Sequence, residues 1–267
     1  MKNHFFHLKL TILFFSILSA QMFGQQTEID INLQSDFNHA VKLFNSKAYA
    51  AAQKSFVEVS ESSNNRLRLK ADADYYDAMC AIRLNQTDAD KKVLSFVENH
   101  PSSNKKDKAY FNVGNYYFAN KKAAYALKWY AKVNLDALSQ ANKKELNFKM
   151  GYAFLSTRNL DLAKNKFVTL INDPKYGNDS RYYFGYISYK QEDYEVAEKT
   201  LQEIADDEAY KSEVTYYLLD ISFKAGRFEK CIEVGQKLLA KAEPKEESEI
   251  SKIIGESFFN LKKYAES

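Results

Sequence analysis

The sequence predicts an all-α fold, a solenoid of stacked antiparallel helix pairs. Three observations predict it. A small residue recurs along the chain at intervals of 34 to 38 residues, and in most repeats a second small residue follows twelve positions later. The segments around both carry apolar residues at helical spacing, and no alternating strand pattern of useful length interrupts them. All three prolines, Pro101, Pro174 and Pro244, fall where a helix pair should end.

Taken from the start, residues 1–24 read as a secretory signal. Lys2 and Lys9 precede and open an apolar run from Leu10 to Leu18, which is too short to span a bilayer comfortably. Small residues follow, so cleavage is expected after Gly24 or after Ala20; the alternative is an N-terminal membrane anchor. Residues 25–33 form a short tail, and the helical array runs from 34 to 267. No later stretch is apolar enough to cross a membrane.

The clearest unit is 107–133, in which two helical apolar patterns flank the polar break Asn120-Lys121-Lys122. Numbering Gly114 as repeat position 8 and Ala126 as position 20 puts the chain in register. Position 8 is then Ala40, Ala78, Gly114, Gly151, Gly185, Leu219 and Gly255, and position 20 is Ala52, Asp90, Ala126, Ala163, Ala197, Cys231 and Ser267. Position 24 supplies bulk as Phe56, Leu94, Tyr130, Phe167 and Leu201, with Gly235 the exception. Small side chains let paired backbones approach. Four of the eight glycines sit at position 8, where each costs about 1 kcal/mol against alanine inside a helix, so close packing must offset that cost. Two helices for each of six repeats and one for a truncated seventh make about thirteen. A helix pair cannot bury its apolar face alone; stacking on the next pair does so.

This pattern resembles the tetratricopeptide repeat family over residues 34–267, most strongly in the third to fifth repeats. The family's large aromatic at position 4 is missing from every repeat but the third: Asp36, Asp74, Tyr110, Asn147, Arg181 and Thr215 stand there, and bulk comes one residue later. The resemblance implies a right-handed superhelix with first helices lining a concave groove and positions 5, 9 and 12 pointing into it. Those positions hold Phe37, Val41 and Phe44; Tyr75, Met79 and Ile82; Phe111, Asn115 and Phe118; Phe148, Tyr152 and Leu155; Tyr182, Tyr186 and Tyr189; and Tyr216, Asp220 and Phe223. Their spacing puts each trio on one helical stripe. The rings either line a groove for an extended or helical peptide or pack between repeats in place of the missing aromatic. The basic groove that holds chaperone C-termini in one branch of the family is not matched; only Asn115 fits it.

Net charge is +3, from 38 basic and 35 acidic side chains, with no basic patch of the kind nucleic acid requires. Beyond the signal only two histidines, His39 and His100, and two cysteines, Cys80 and Cys231, occur. None sits at metal-ligand spacing, and there is no phosphate loop or nucleophile elbow. The cysteines are expected as buried free thiols. The expectation is therefore a non-catalytic scaffold with no cofactor, metal, small-molecule substrate or nucleic acid, binding a protein or peptide partner in the periplasm. A membrane-associated partner and a role in envelope or outer-membrane assembly fit that location. The rival is the docking arm of a longer exported enzyme whose catalytic part lies beyond residue 267. The seventh repeat stops at position 20, so the chain is expected to be a fragment of a longer protein.

Overall fold

The computed structural model describes residues 31–63, 66–240 and 244–262, with the side chains of 244–246 left aside. The expected signal segment, most of the tail, Tyr264 and Ser267 lie outside the described residues. Among the described residues there are thirteen α-helices and no strand. They are α1 (residues 31–45), α2 (Tyr49–Ser62), α3 (Leu67–Arg83), α4 (Ala89–Asn99), α5 (Lys106–Ala119), α6 (Ala123–Tyr130), α7 (Gln140–Ser156), α8 (Leu160–Phe167), α9 (Gly177–Lys190), α10 (Tyr194–Gln202), α11 (Lys211–Lys224), α12 (Phe228–Leu239) and α13 (Pro244–Asn260). Odd-numbered helices are the first of each repeat and even-numbered ones the second. Among the described residues no helix is long and apolar enough to cross a membrane.

The chain divides into two compact units. The first holds α1 to α5 with residues 131–137; the second holds 121–130 and everything from 138 onward. Within each unit a helix packs on its chain neighbour, and first helices of successive repeats also touch, α3 on α5 in one unit and α9 on α11 on α13 in the other. That pattern is how a solenoid buries faces that single helix pairs leave open.

The register of small residues holds where it matters. Ala40, Ala52, Ala126, Ala163, Ala197 and Cys231 are fully buried. A Cβ added to Gly151 would lie 2.9 Å from Phe167 Cε1, and one added to Gly185 would lie 2.7 Å from Leu201 Cγ and Cδ2. Position 8 is thus small because position 24 of the same repeat presses on it. The sixth repeat reverses the sizes: Leu219 at position 8 is buried, and Gly235 stands at position 24, facing Leu219 Cδ1 and Ile254 of the next helix. The two exceptions in the pattern compensate each other.

One repeat departs from the register. Asp90 and Leu94 were expected on the packed face of α4, yet Leu94 is 38% exposed, while Ala89 and Val93 are buried. The turn into α4 is longer, and the Ala89 amide bonds back three residues to Gln86, a tighter turn than the α-helical one. That tightening brings the residue one place earlier onto the packed face. Pro244 also does more than end the sixth repeat. It opens α13 at the first helical position, where its missing N–H has no partner to lose.

Among the described residues each of the six helix pairs is joined through a left-handed residue at repeat position 15, and the residue at that position after α13 is left-handed too. Lys47, Asn85, Lys121, Arg158, Glu192, Gly226 and Lys262 all have φ between 55° and 73°. In five of these turns both closing bonds of the motif are present; Asn159 N–H donates to Phe154 O at 2.9 Å and Arg158 N–H to Leu155 O at 3.0 Å, for example. Only Gly226 has the residue type that adopts this conformation without cost. We expect Lys121→Gly, Arg158→Gly and Glu192→Gly each to stabilise the fold by about 0.5–1 kcal/mol. Relief of about 1–2 kcal/mol of left-handed strain outweighs about 0.5–1 kcal/mol of extra backbone entropy. Urea denaturation of the three variants checks this, and no gain at any of them would show that the turns are unstrained.

Candidate functional site

In the second unit α7, α9 and α11 each present a stripe at repeat positions 5, 9 and 12 that is aromatic except at Leu155 and Asp220. Tyr152 on α7 is 42% exposed, and the others on the stripes are half-buried. The half-buried rings contact the next repeat. Phe148 stacks on Tyr176 at 4.9 Å and meets Tyr183 at 6.5 Å between ring centroids. Tyr182 stacks on Tyr210 at 4.6 Å, and Tyr186 and Tyr189 meet Tyr217 at 5.7 and 5.0 Å. Phe223 is the exception, resting edge-on at 5.7 Å against Phe228 on the second helix of its own repeat. These stripes are therefore both interface between repeats and surface.

In the first unit the same positions are more closed. Tyr75, Met79 and Phe111 are buried, with no more than 5% exposure, as is Ile82. Tyr75 Oη accepts from Asn112 Nδ2 at 2.8 Å, and burial pushes its hydroxyl far above the usual tyrosine range. Asn115, Phe118, Phe37, Val41 and Phe44 are half-buried. Phe37 packs edge-on against Phe56 at 5.7 Å, and Phe44 against Tyr49 at 5.4 Å.

Reading positions 5, 9 and 12 misses position 6. Tyr76 stacks on Phe56 (4.9 Å, 10° between planes) and Tyr183 on Phe167 (5.0 Å, 24°), each lying over the position-24 ring of the preceding repeat. Tyr217 holds the corresponding place against Leu201's cluster. The aromatic bulk absent from position 4 is supplied here. The signal was in the sequence as doublets, Tyr75-Tyr76, Tyr182-Tyr183 and Tyr216-Tyr217, in which the first ring lies toward the stripe and the second fills the joint.

Tyrosine hydroxyls tie consecutive repeats to carboxylates. Tyr189 Oη donates to Asp220 Oδ2 at 2.6 Å, Tyr216 Oη to Glu249 Oε2 at 2.7 Å, and Tyr210 Oη to Asp179. Burial first and the neighbouring carboxylate second push all three hydroxyls far up, so they remain neutral donors. Burial pushes Tyr183 up to about 12. Lys190 Nζ lies 5.6 Å from the ring centroids of both Tyr186 and Tyr189, within cation–π range.

His100 is the C-cap of α4, and its Nε2 lies 2.7 Å from Asp74 Oδ2. Ser60 Oγ donates to the same carboxylate, so Asp74 sits between serine and imidazole. In that order the imidazole cannot take the serine proton, and the cluster, with Lys70 Nζ 2.7 Å from Ser60 Oγ, is a polar tie between α2, α3 and α4. An open cleft of about 410 Å³ lies beside it, lined by Leu67, Arg68, Asp72, His100 and Pro101. Among the described residues no group of three or more His, Cys, Asp or Glu side chains is gathered as metal ligands.

Both thiols are free and fully buried. Burial pushes Cys80 up to about 12 and raises Cys231 as well. Since the thiolate is the reactive form, neither should react with iodoacetamide at pH 8 in the native protein, and both should after denaturation. Mass spectrometry of the alkylated chain reads this; native labelling of either would show that its helix pair opens.

No protein-family model matches the sequence, and no curated protein matches it. Solved structures do. A tetratricopeptide repeat protein from Parabacteroides merdae superposes with a TM-score of 0.51 at 12% identity, over 87% of this chain and 92% of that one. The apo form of RapI superposes with a TM-score of 0.51 at 13% identity, over 85% of this chain and 75% of that one. At such identities the likeness is one of fold. With the repeat register, the paired helices and their common turn, it shows that the chain is an all-α helical solenoid of the tetratricopeptide type.

Proposed function

We propose that this protein is a non-catalytic interaction scaffold of the cell envelope that holds an extended or helical segment of a partner protein against α7, α9 and α11. The observation that carries this reading is the repetition of one aromatic stripe on three consecutive first helices, still partly open to solvent. Tyrosine gives such a surface apolar area and a hydrogen-bonding tip at low rotamer cost. Export to the periplasm is supported by the signal-like character of residues 1–24. A photo-crosslinking amino acid in place of Tyr152 tests the site. The full chain in its own cell should yield a discrete crosslinked protein, whereas the same substitution at Leu162, 49% exposed on a second helix, should not. Equal crosslinking from both positions would overturn the reading. Fractionation of the same cells, with the mature N-terminus determined, tests the location.

A further inference from the structure

The stripes of the second unit extend one residue beyond these trios, and the extension is acidic. Three residues before each trio, at repeat position 2, stand Glu145 on α7, Asp179 on α9 and Glu213 on α11, with Glu249 at the same position on α13. The spacing of three, four and three places each carboxylate on the same helical face as its trio. Glu145 is already paired with Lys149, and Asp220 lies 3.7 Å from Lys224. Asp179, Glu213 and Glu249 make no ion pair among the described residues. Asp179 and Glu249 accept hydrogen bonds from Tyr210 and Tyr216, neutral donors that bring no charge to balance theirs. Glu213 acts electrostatically on the Tyr182 and Tyr217 hydroxyls, which places it among the rings. In the first unit the position-2 acid Asp72 is paired with Lys105 at 3.3 Å, and Lys108 takes position 2 in the third repeat.

From this we infer that the segment held on α7, α9, α11 and α13 is positively charged, with lysine or arginine side chains set between the tyrosine rings and Asp179, Glu213 and Glu249. The inference rests on the groove reading above and deepens it. A cation there meets a carboxylate and an aromatic face together, and arginine suits both. The protein's own lysines already use these rings, Lys190 over Tyr186 and Tyr189. Neighbouring helix axes lie about 8–10 Å apart, and an extended chain advances about 3.3 Å per residue. A segment crossing the helices thus needs one cation about every three residues.

The test is selection from a random peptide library displayed on phage against the full chain. A parallel selection uses Tyr152→Cys carrying a bulky maleimide, which the buried native thiols leave site-specific. Peptides that the label excludes should be net basic, with lysine or arginine at about three-residue intervals. Synthesised, they should bind Asp179→Asn/Glu213→Gln/Glu249→Gln about tenfold or more weaker than the parent, and weaken with salt. The isosteric variant should keep the parent's circular dichroism and melting curve; should it fail to fold, Glu213→Gln alone, at an exposed carboxylate, takes its place with a smaller loss expected. Label-sensitive peptides that are neutral or acidic, or that bind the charge variant as tightly as the parent, would overturn the inference while leaving the groove standing. Absence of any label-sensitive peptide would overturn both.

Discussion

Phe167→Ala is expected to remove about 3–5 kcal/mol of stability, the range for emptying a phenylalanine site in a packed core. Phe167 is fully buried between Gly151 on one side and the Tyr183 ring, stacked at 5.0 Å, on the other, with Phe148 edge-on at 5.9 Å. It closes the fourth repeat and supports the fifth. The change should also reverse the sign of a second substitution. In the parent, Gly151→Ala puts a methyl 2.9 Å from the Phe167 ring, and overpacking of about 1–3 kcal/mol exceeds the helix-propensity gain of about 1 kcal/mol. With the ring gone, only the gain of about 1 kcal/mol remains. A double-mutant cycle by urea denaturation reads both numbers. Additive effects would mean that Gly151 and Phe167 do not oppose each other.

Changing Tyr182, Tyr186 and Tyr189 together to serine should cost about 3–6 kcal/mol. Each ring gives up roughly half of its burial and a ring–ring contact with the next repeat, and Tyr189 also gives up its bond to Asp220. Tyr152→Ser, 42% exposed and edge-on against Tyr183 at 5.6 Å, removes one ring only and should cost about 1–2 kcal/mol. Loss of partner binding in the triple variant would therefore report unfolding as much as recognition, whereas loss in Tyr152→Ser reports recognition. Melting curves of the two variants separate these cases. A triple variant that melts beside the parent would show that the three rings serve the surface alone.

Much of the fold was legible because the strongest constraint, backbone approach within a helix pair, is written in residue size. Gly151 and Gly185 pointed straight to their partners. The turns were less legible. Their left-handed residue is lysine, asparagine, arginine or glutamate in five of the six junctions between described helices, since the packing of the paired helices tolerates a strain of about 1–2 kcal/mol that no side chain advertises. The shift in α4 escaped because one tightened turn moves a stripe by a residue without altering composition. At the candidate site the stripe's rings were legible, but not which ring of each tyrosine doublet would fill the joint. Tyr182 and Tyr183 differ by about 100° around the helix, and only the neighbouring repeat decides which side is solvent. The position-2 carboxylates read as ordinary solvated charges until their tyrosine partners came from other helices.

The size reversal at Leu219 and Gly235 fixes the order of the modules. A repeat array invites duplication, deletion and recombination of its units, because each unit touches only its neighbours. Here the sixth unit cannot take part freely. Its Gly235 leaves room that Ile254 of the next helix occupies, to within 2.7 Å of a would-be Cβ. A copy placed before any unit lacking that isoleucine would open a void, and a unit with bulk at position 24 placed before α13 would meet Ile254 head-on. Lineages that shuffle such arrays should therefore carry the sixth unit and the start of the seventh as one inherited block.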